Sequence, residues 1–132
     1  MEVLAIEDNP ADRWWLEHIL QALGLEFRLS WVTDGAHAVE FLLKRGTCTQ
    51  VPTPDLIFLD VHLPLLDGID VLRQVPHASE LPICVLTSSE KERPLFRDEF
   101  GILDSNYLLK PVSEASLQGS ACFTLLWRNR QL

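Results

Sequence analysis

Short apolar runs alternate with longer stretches of helical periodicity along the chain. Five runs of three or four mostly apolar residues stand out, at 3–6, 29–32, 56–59, 83–86 and 107–109. Continuous apolar runs of this length, rather than alternating ones, are typical of strands that helices cover on both faces. The pattern therefore predicts five strands of a buried sheet.

Five helices are predicted to alternate with these strands. The first has apolar residues at i, i+3 and i+4 spacing, at Trp15, Leu16, Ile19, Leu20 and Leu23, and Gly24 can close it. The others are predicted at 36–43, at 69–74, from near Pro94, and from Ser113 as N-cap to about Trp127. Repeated strand–helix alternation predicts an α/β domain with a parallel sheet, and the polar segment 45–54 is a surface loop.

A polar residue with chemical capability follows four of the five apolar runs. Glu7 and Asp8 follow the first run, Asp60 the third, Thr87 the fourth and Lys110 the fifth. Because parallel strands end at one edge of the sheet, and open α/β sheets bind ligands there, we expect these side chains to converge.

The predicted cluster needs a cation. Three carboxylates and one ammonium leave two negative charges in excess, and crowded carboxylates raise one another's pKa. A divalent cation neutralises the excess, and oxygen ligands without His or Cys favour Mg²⁺, for which Mn²⁺ or Ca²⁺ can substitute. A carboxylate nucleophile beside a metal, a hydroxyl and a lysine has the parts that phosphoryl transfer requires.

These motifs make the chain resemble the receiver domain of two-component response regulators over nearly its whole length. The matching segments are the acidic pair 7–8, the stretch 60–68 (Asp-Val-His-Leu-Pro-Leu-Leu-Asp-Gly), 86–88 and 107–111. The resemblance implies a flavodoxin-like, doubly wound, five-stranded parallel sheet with strand order 2-1-3-4-5 and five helices. It also implies that residues 1–132 are a single receiver domain with no output domain.

The resemblance further implies a phosphoacceptor and its metal site. Asp60 is expected to accept a phosphoryl group from a phosphohistidine of a sensor histidine kinase. Glu7, Asp8, Asp60 and the backbone carbonyl of His62 are expected to hold Mg²⁺. Many members have Asp-Asp where this chain has Glu7-Asp8, which is one methylene longer.

The remaining motif residues are expected to bind and sense the phosphoryl group. By resemblance, Thr87 and Lys110 contact phosphoryl oxygens, and Tyr107 is a switch aromatic that turns inward as Thr87 moves. The Lys110–Pro111 bond is expected to be cis, as proline permits. His62 and Ser89 flank the site, and we hypothesise that His62 modulates the lifetime of the phosphoryl group; the alternative is a solvated imidazole that matters only through its carbonyl.

Partner surfaces are expected on the first and last helices. Trp14 is predicted to lie nearer the exterior than Trp15, either as an anchor for the histidine-bearing partner or flat on its own domain. The last helix has one apolar face (Leu117, Ala121, Leu125) and surplus apolar residues (Phe123, Leu126, Trp127). That surplus suggests a homodimer or a downstream target on the surface of helix 4, strand 5 and helix 5. The length of the loop before Asp55 and the general character of the sequence resemble those of receivers paired with bacterial phytochromes.

Composition excludes several other roles. The 132 residues suit one domain, and the net charge of −8 disfavours binding of this domain to nucleic acid. Three scattered cysteines do not form a disulfide framework or a zinc cage. No apolar stretch approaches the roughly 18 residues of a membrane span, and the basic region of a signal peptide is missing, so a cytoplasmic protein is expected.

Three alternatives remain open. An Asp-nucleophile, Mg²⁺-dependent phosphatase needs a second acid two residues after the nucleophile, where this chain has His62. A flavin or nucleotide binder needs a glycine-rich phosphate cradle after the first strand, where this chain has the acidic segment 7–10. A pseudo-receiver binds partners without phosphorylation, and the intact acceptor set argues against it. The leading interpretation is a signalling phosphoacceptor that is an enzyme only on itself.

Overall fold

Strands and helices alternate through the part of the chain that the computed structural model describes, residues 1–124. The strands are β1 Glu2–Ile6, β2 Arg28–Val32, β3 Leu56–Asp60, β4 Ile83–Thr87 and β5 Tyr107–Leu109. The helices are α1 Pro10–Ala22, α2 Gly35–Leu43, α3 Gly68–Arg73, α4 Arg93–Phe100 and α5 Glu114–Gln118. Two short 3-10 turns, Ala78–Glu80 and Asp104–Asn106, precede β4 and β5. All five strand predictions are confirmed to within one residue at each end.

The five strands form one parallel sheet in the order β2-β1-β3-β4-β5. Ile6 lies opposite Leu59, and Asp60 lies opposite Leu86, so β1, β3 and β4 end at nearly the same level. The predicted fold class and strand order are confirmed. The register brings the polar residues after these strands to one edge of the sheet.

Helices cover both faces of the sheet, which explains the continuous apolar runs. In β3, Ile57 and Leu59 pack into one core cluster with Phe96 of α4, whereas Leu56 and Phe58 pack into the other. Every residue of β3 and β4 is buried. Within residues 1–124 no helix combines the length and the apolar character that crossing a bilayer requires.

Helix α1 ends as its glycine signal predicts, but one residue of its predicted core stripe is more exposed than expected. The Asn9 side chain accepts hydrogen bonds from the first-turn amides, and Gly24 adopts a left-handed conformation (φ 74°) just beyond the helix. Its i, i+3, i+4 spacing groups Trp15 with the core residues, and this prediction was wrong: the residue is 39% exposed, and its indole N–H donates to the Val112 carbonyl at 2.6 Å. This hydrogen bond holds the ring at the rim of the core. Trp14 is 63% exposed, as expected.

The last helix is interrupted, contrary to the prediction of one helix from Ser113 to about Trp127. Helix α5 starts after Ser113, which caps it, and ends at Gln118; residues 121–124 are helical again. Gly119 is a poor helix former, and the buried Ser120 hydroxyl accepts from the Phe123 amide at 3.3 Å, so it caps the second segment.

The apolar surplus predicted on the last helix is only partly described. Phe123 is 4% exposed and packs into the core, so it is no part of an exposed patch. Leu125, Leu126 and Trp127 lie outside the described residues. Between α2 and β3, residues 44–55 contain no helix or strand, as expected for the polar loop. All three cysteines are free thiols.

Candidate functional site

Three carboxylates meet where β1 and β3 end side by side. Glu7 and Asp8 directly follow β1, and Asp60 is the last residue of β3. Each offers a carboxylate oxygen, and these oxygens lie within 4.8 Å of one another. Glu7 and Asp60 are buried (2% and 6% exposed), whereas Asp8 is exposed. The convergence of the acidic residues follows from the sheet topology.

Glu7 has a strongly perturbed pKa. Burial raises its pKa to about 7 from an ordinary value of 4.5, and the nearby Asp60 acts in the same direction. The Lys110 ammonium and the Asn9 amide, which donates to Glu7 Oε1 at 3.0 Å, lower the pKa but do not cancel the effect of burial. The side chain therefore lies near its point of half-ionisation at neutral pH.

Lys110 brings a positive charge into the same cluster from the end of β5. Its Nζ lies 2.7 Å from Glu7 Oε2, 2.9 Å from Asp12 Oδ2 and 3.5 Å from Asp60 Oδ2. Burial acts to lower the pKa of Lys110, but the three carboxylates outweigh it and the pKa is raised. The ammonium therefore stays protonated throughout the neutral range.

The donor set fits a hard divalent cation. It consists of three clustered carboxylates, two buried and one exposed, and the exposed Asp8 leaves room for water ligands. The His62 amide donates to Asp60 Oδ1 at 3.3 Å, so the chain just after β3 turns back toward the Asp60 carboxylate. The chemistry of these groups is that of an Mg²⁺ or Mn²⁺ site.

Thr87 and Tyr107 are joined through the loop that follows β4. Thr87 is fully buried at the end of β4, and its hydroxyl oxygen accepts from the Ser89 amide at 3.1 Å. The Tyr107 ring points inward (3% exposed), and its hydroxyl donates to the Ser89 carbonyl at 2.7 Å. Burial, with the neighbouring Glu92, raises the Tyr107 pKa, and the Arg93 guanidinium lies 4.5 Å over the ring.

The backbone after Asp60 is packed too closely for a side chain at Gly68. The Gly68 amide donates to the Val61 carbonyl at 2.7 Å, and a Cβ at this position would lie 2.8 Å from the Asp60 carbonyl oxygen. Asp67 caps α3 by accepting from the Asp70 amide. The cap and the close packing explain in physical terms why an Asp-Gly pair begins α3. The Lys110–Pro111 bond is cis, as expected.

Sequence reasoning missed four contacts at this edge. Asp12 of α1 binds Lys110, although an acid in a first helical turn also occurs for reasons of helix stability alone. The Trp31 indole donates to the Glu7 carbonyl, and the Arg13 guanidinium lies 3.8 Å over the Trp31 ring. His62 Nε2 lies 3.9 Å from Glu92 Oε1, and the imidazole is 63% exposed. Of these residues, Asp12 had a weak signal in the sequence, because it lies one helical turn after Asp8.

The sequence profile of the family described as "Response regulator receiver domain" matches residues 3–121. The chain belongs to this family. Among curated relatives of the receiver, the response regulator Rcp1 of Synechocystis sp. is 34% identical over 93 residues, which cover 68% of this chain and 63% of Rcp1. The receiver thus spans less than two thirds of that relative's length.

Solved structures of receivers share the fold. The bacteriophytochrome response regulator AtBRR is 28% identical, with a TM-score of 0.73 over 92% of this chain and 93% of that chain. The receiver domain of sensor histidine kinase PA1611 from Pseudomonas aeruginosa PAO1 is 31% identical, with a TM-score of 0.68 over 96% and 94%. That structure holds a magnesium ion in its active site cleft. Rcp1 has been solved in a Mn²⁺-bound form (33% identity, TM-score 0.64, 74% and 73% covered).

Proposed function

We propose that this receiver accepts a phosphoryl group on Asp60 from a phosphohistidine of a sensor histidine kinase. The observation that carries the proposal is that the Asp60 carboxylate clusters with the Glu7 and Asp8 carboxylates, with the Lys110 ammonium 3.5 Å away. Receivers of this family are phosphorylated on aspartate by sensor kinases. Of the three carboxylates, that of Asp60 is buried and belongs to the last residue of a central strand.

Glu7, Asp8 and Asp60 are the residues that would hold Mg²⁺, together with the backbone carbonyl of His62, and Mn²⁺ or Ca²⁺ can replace it. The cation supplies neutralisation of the charge on the incoming phosphoryl oxygens. The ion present in the receiver of PA1611 supports this assignment by analogy. The same three carboxylates without a cation would repel one another and the phosphoryl group.

The proposed transfer exchanges one bond for another. An Asp60 carboxylate oxygen forms the bond to phosphorus, the phosphorus–nitrogen bond of the phosphohistidine breaks, and the imidazole keeps the electron pair. Lys110 pairs with one phosphoryl oxygen. The Thr87 hydroxyl accepts from the Ser89 amide, so it retains its own proton to donate to another oxygen.

The proposed response runs from Thr87 to the surface of α4. Thr87 and Tyr107 both bond to Ser89, through its amide and its carbonyl respectively, so a shift of the Thr87 hydroxyl moves the loop that holds the Tyr107 hydroxyl. Tyr107 in turn packs against Phe96 of α4 and beneath Arg93. Tyr107 therefore acts as the switch residue in this proposal.

The proposed partners are a sensor histidine kinase and a downstream protein. The names of AtBRR and of its bacteriophytochrome relatives support a phytochrome as the kinase, and a cytoplasmic site of action is consistent with such a pair. Exposed leucines on and beside α4 and β5, Leu95, Leu103 and Leu109, support that face as the contact for a target or a second copy. The chain catalyses only its own phosphorylation and dephosphorylation.

The proposal is tested by phosphorylation with a small donor. The native chain is incubated with acetyl phosphate and Mg²⁺, and intact-mass spectrometry is expected to find one added phosphoryl group. Asp60→Asn is expected to take up none, and chelation of Mg²⁺ is expected to abolish uptake. Asp67→Asn is the matched control, because Asp67 lies in the same segment but only caps α3. Equal uptake by Asp60→Asn and the native chain would contradict the proposal.

A further inference from the structure

Asp12 forms an ion pair with Lys110 from helix α1. It lies in the first turn of α1, and its Oδ2 accepts from Lys110 Nζ at 2.9 Å. The Asp12 side chain is 38% exposed and that of Lys110 is 17% exposed, so this ion pair is only partly screened by solvent. Asp12 is not a member of the carboxylate group that offers a metal site.

The distances show which carboxylates hold the ammonium in this arrangement. Glu7 and Asp12 lie at 2.7 and 2.9 Å, the range of charge-assisted hydrogen bonds. Asp60, the proposed acceptor, lies at 3.5 Å, beyond that range. An ammonium has three N–H groups, and here two of them are directed away from the acceptor. One N–H remains for a phosphoryl oxygen, and the bonds to Glu7 and Asp12 restrain how closely Lys110 can approach that oxygen.

The two competing carboxylates do not compete equally. Glu7 belongs to the metal-binding set, and a cation bound there draws on the same carboxylate that now bonds Lys110. Asp12 lies outside that set, so a cation bound there does not draw on the Asp12 carboxylate. Asp12 is thus the competitor that remains for Lys110 when a phosphoryl group arrives.

We propose that Asp12 is a positioning residue that retains Lys110 in the resting arrangement and thereby weakens the binding of a phosphoryl group at Asp60. The inference rests on the proposed function. A partly exposed ion pair shifts the equilibrium constant toward the arrangement that contains it by a factor of roughly two to five. Removal of Asp12 therefore favours the phosphoryl-bound state by about that factor, whereas a role restricted to the α1 dipole does not.

The test uses beryllofluoride, a stable mimic of a phosphoryl group, titrated in the presence of Mg²⁺ with calorimetric detection. Asp12→Asn is expected to lower the half-saturating concentration roughly two- to fivefold. Asp12→Glu keeps the charge, and its half-saturating concentration is expected to lie closer to that of the native chain. Glu17→Gln is the matched control, because it removes the same charge from α1 at a surface lined by Trp14, His18 and Gln21. High salt is expected to reduce the Asp12→Asn effect, since it screens a half-exposed pair.

The outcomes separate this inference from the proposed function. An unchanged or raised half-saturating concentration for Asp12→Asn, in a series where the native chain binds the mimic, overturns the role of Asp12 alone. An equal gain for Glu17→Gln also overturns it, because the effect is then one of net charge. Failure of the native chain to bind the mimic and to take up a phosphoryl group overturns the proposed function, and this inference with it. Thermal melting of each variant verifies that the fold is retained.

Discussion

Burial of Glu7 predicts that the metal-free protein loses stability as the pH rises from about 4.5 to 7. Its pKa is raised from 4.5 to about 7 in the folded state by burial. Between those values the folded protein holds a proton that the unfolded chain has released. The free energy of unfolding therefore falls by about 3 kcal/mol in total as the pH rises across this window, and it levels off above the window.

The variant Glu7→Gln isolates this effect, because a glutamine does not ionise. We expect the difference in unfolding free energy, variant minus native, to grow by about 3 kcal/mol between pH 4.5 and pH 8. Lys110 stays protonated over this range, so the changed bond to Lys110 contributes an offset that varies little with pH. Glu17→Gln is the control, because it makes the same chemical change at a glutamate of α1 outside the carboxylate cluster.

The assay is urea denaturation at a series of pH values with a chelator present. A difference that is independent of pH, or that shrinks as the pH rises, would refute the claim that burial of the Glu7 charge destabilises the empty pocket. Repeating the series with excess Mg²⁺ extends the test. Because a ligand stabilises the state that binds it, Mg²⁺ is expected to raise the stability of the native chain most at pH 8.

Three other substitutions test neighbouring parts of the account. Gly68→Ala places a Cβ 2.8 Å from the Asp60 carbonyl oxygen, so denaturation should show a loss of about 1–3 kcal/mol. Gly119→Ala has only an ordinary contact at 3.4 Å and a helical backbone, so the same assay should show a gain of up to about 1 kcal/mol. Lys110→Ala should retain Mg²⁺ binding by calorimetry but lose most of the change in tryptophan fluorescence on phosphorylation; full retention would contradict its role.

The sheet and the acidic pocket were predictable because one physical rule links them to the sequence. Buried parallel strands read as continuous apolar runs, and their carboxyl ends share an edge, so Asp60 and Glu7 converge whatever the loops do. The Lys110 contact to Glu7 follows from the same rule. The roles of these residues in phosphoryl transfer remain predictions.

The features that sequence reasoning missed are ones for which two local arrangements fit the sequence pattern equally well. Asp12 in a first helical turn satisfies the helix dipole whether or not it reaches a lysine 98 positions away. Trp15 has the spacing of a core residue, but its indole N–H donates to the Val112 carbonyl, and this bond holds the ring at the rim of the core. Apolar spacing continues across Gly119 and Ser120, so the predicted helix ran through a break that a serine cap produces.

The central claim is that Asp60 is the residue that receives the phosphoryl group, and chemical trapping tests it most directly. Borohydride reduces an aspartyl phosphate to homoserine, so the chain is phosphorylated with acetyl phosphate and Mg²⁺, reduced, digested and sequenced by mass spectrometry. The account predicts homoserine at position 60, with Asp67 and Asp70 intact. Homoserine at Asp8, Asp67 or Asp70 with position 60 unmodified would contradict it.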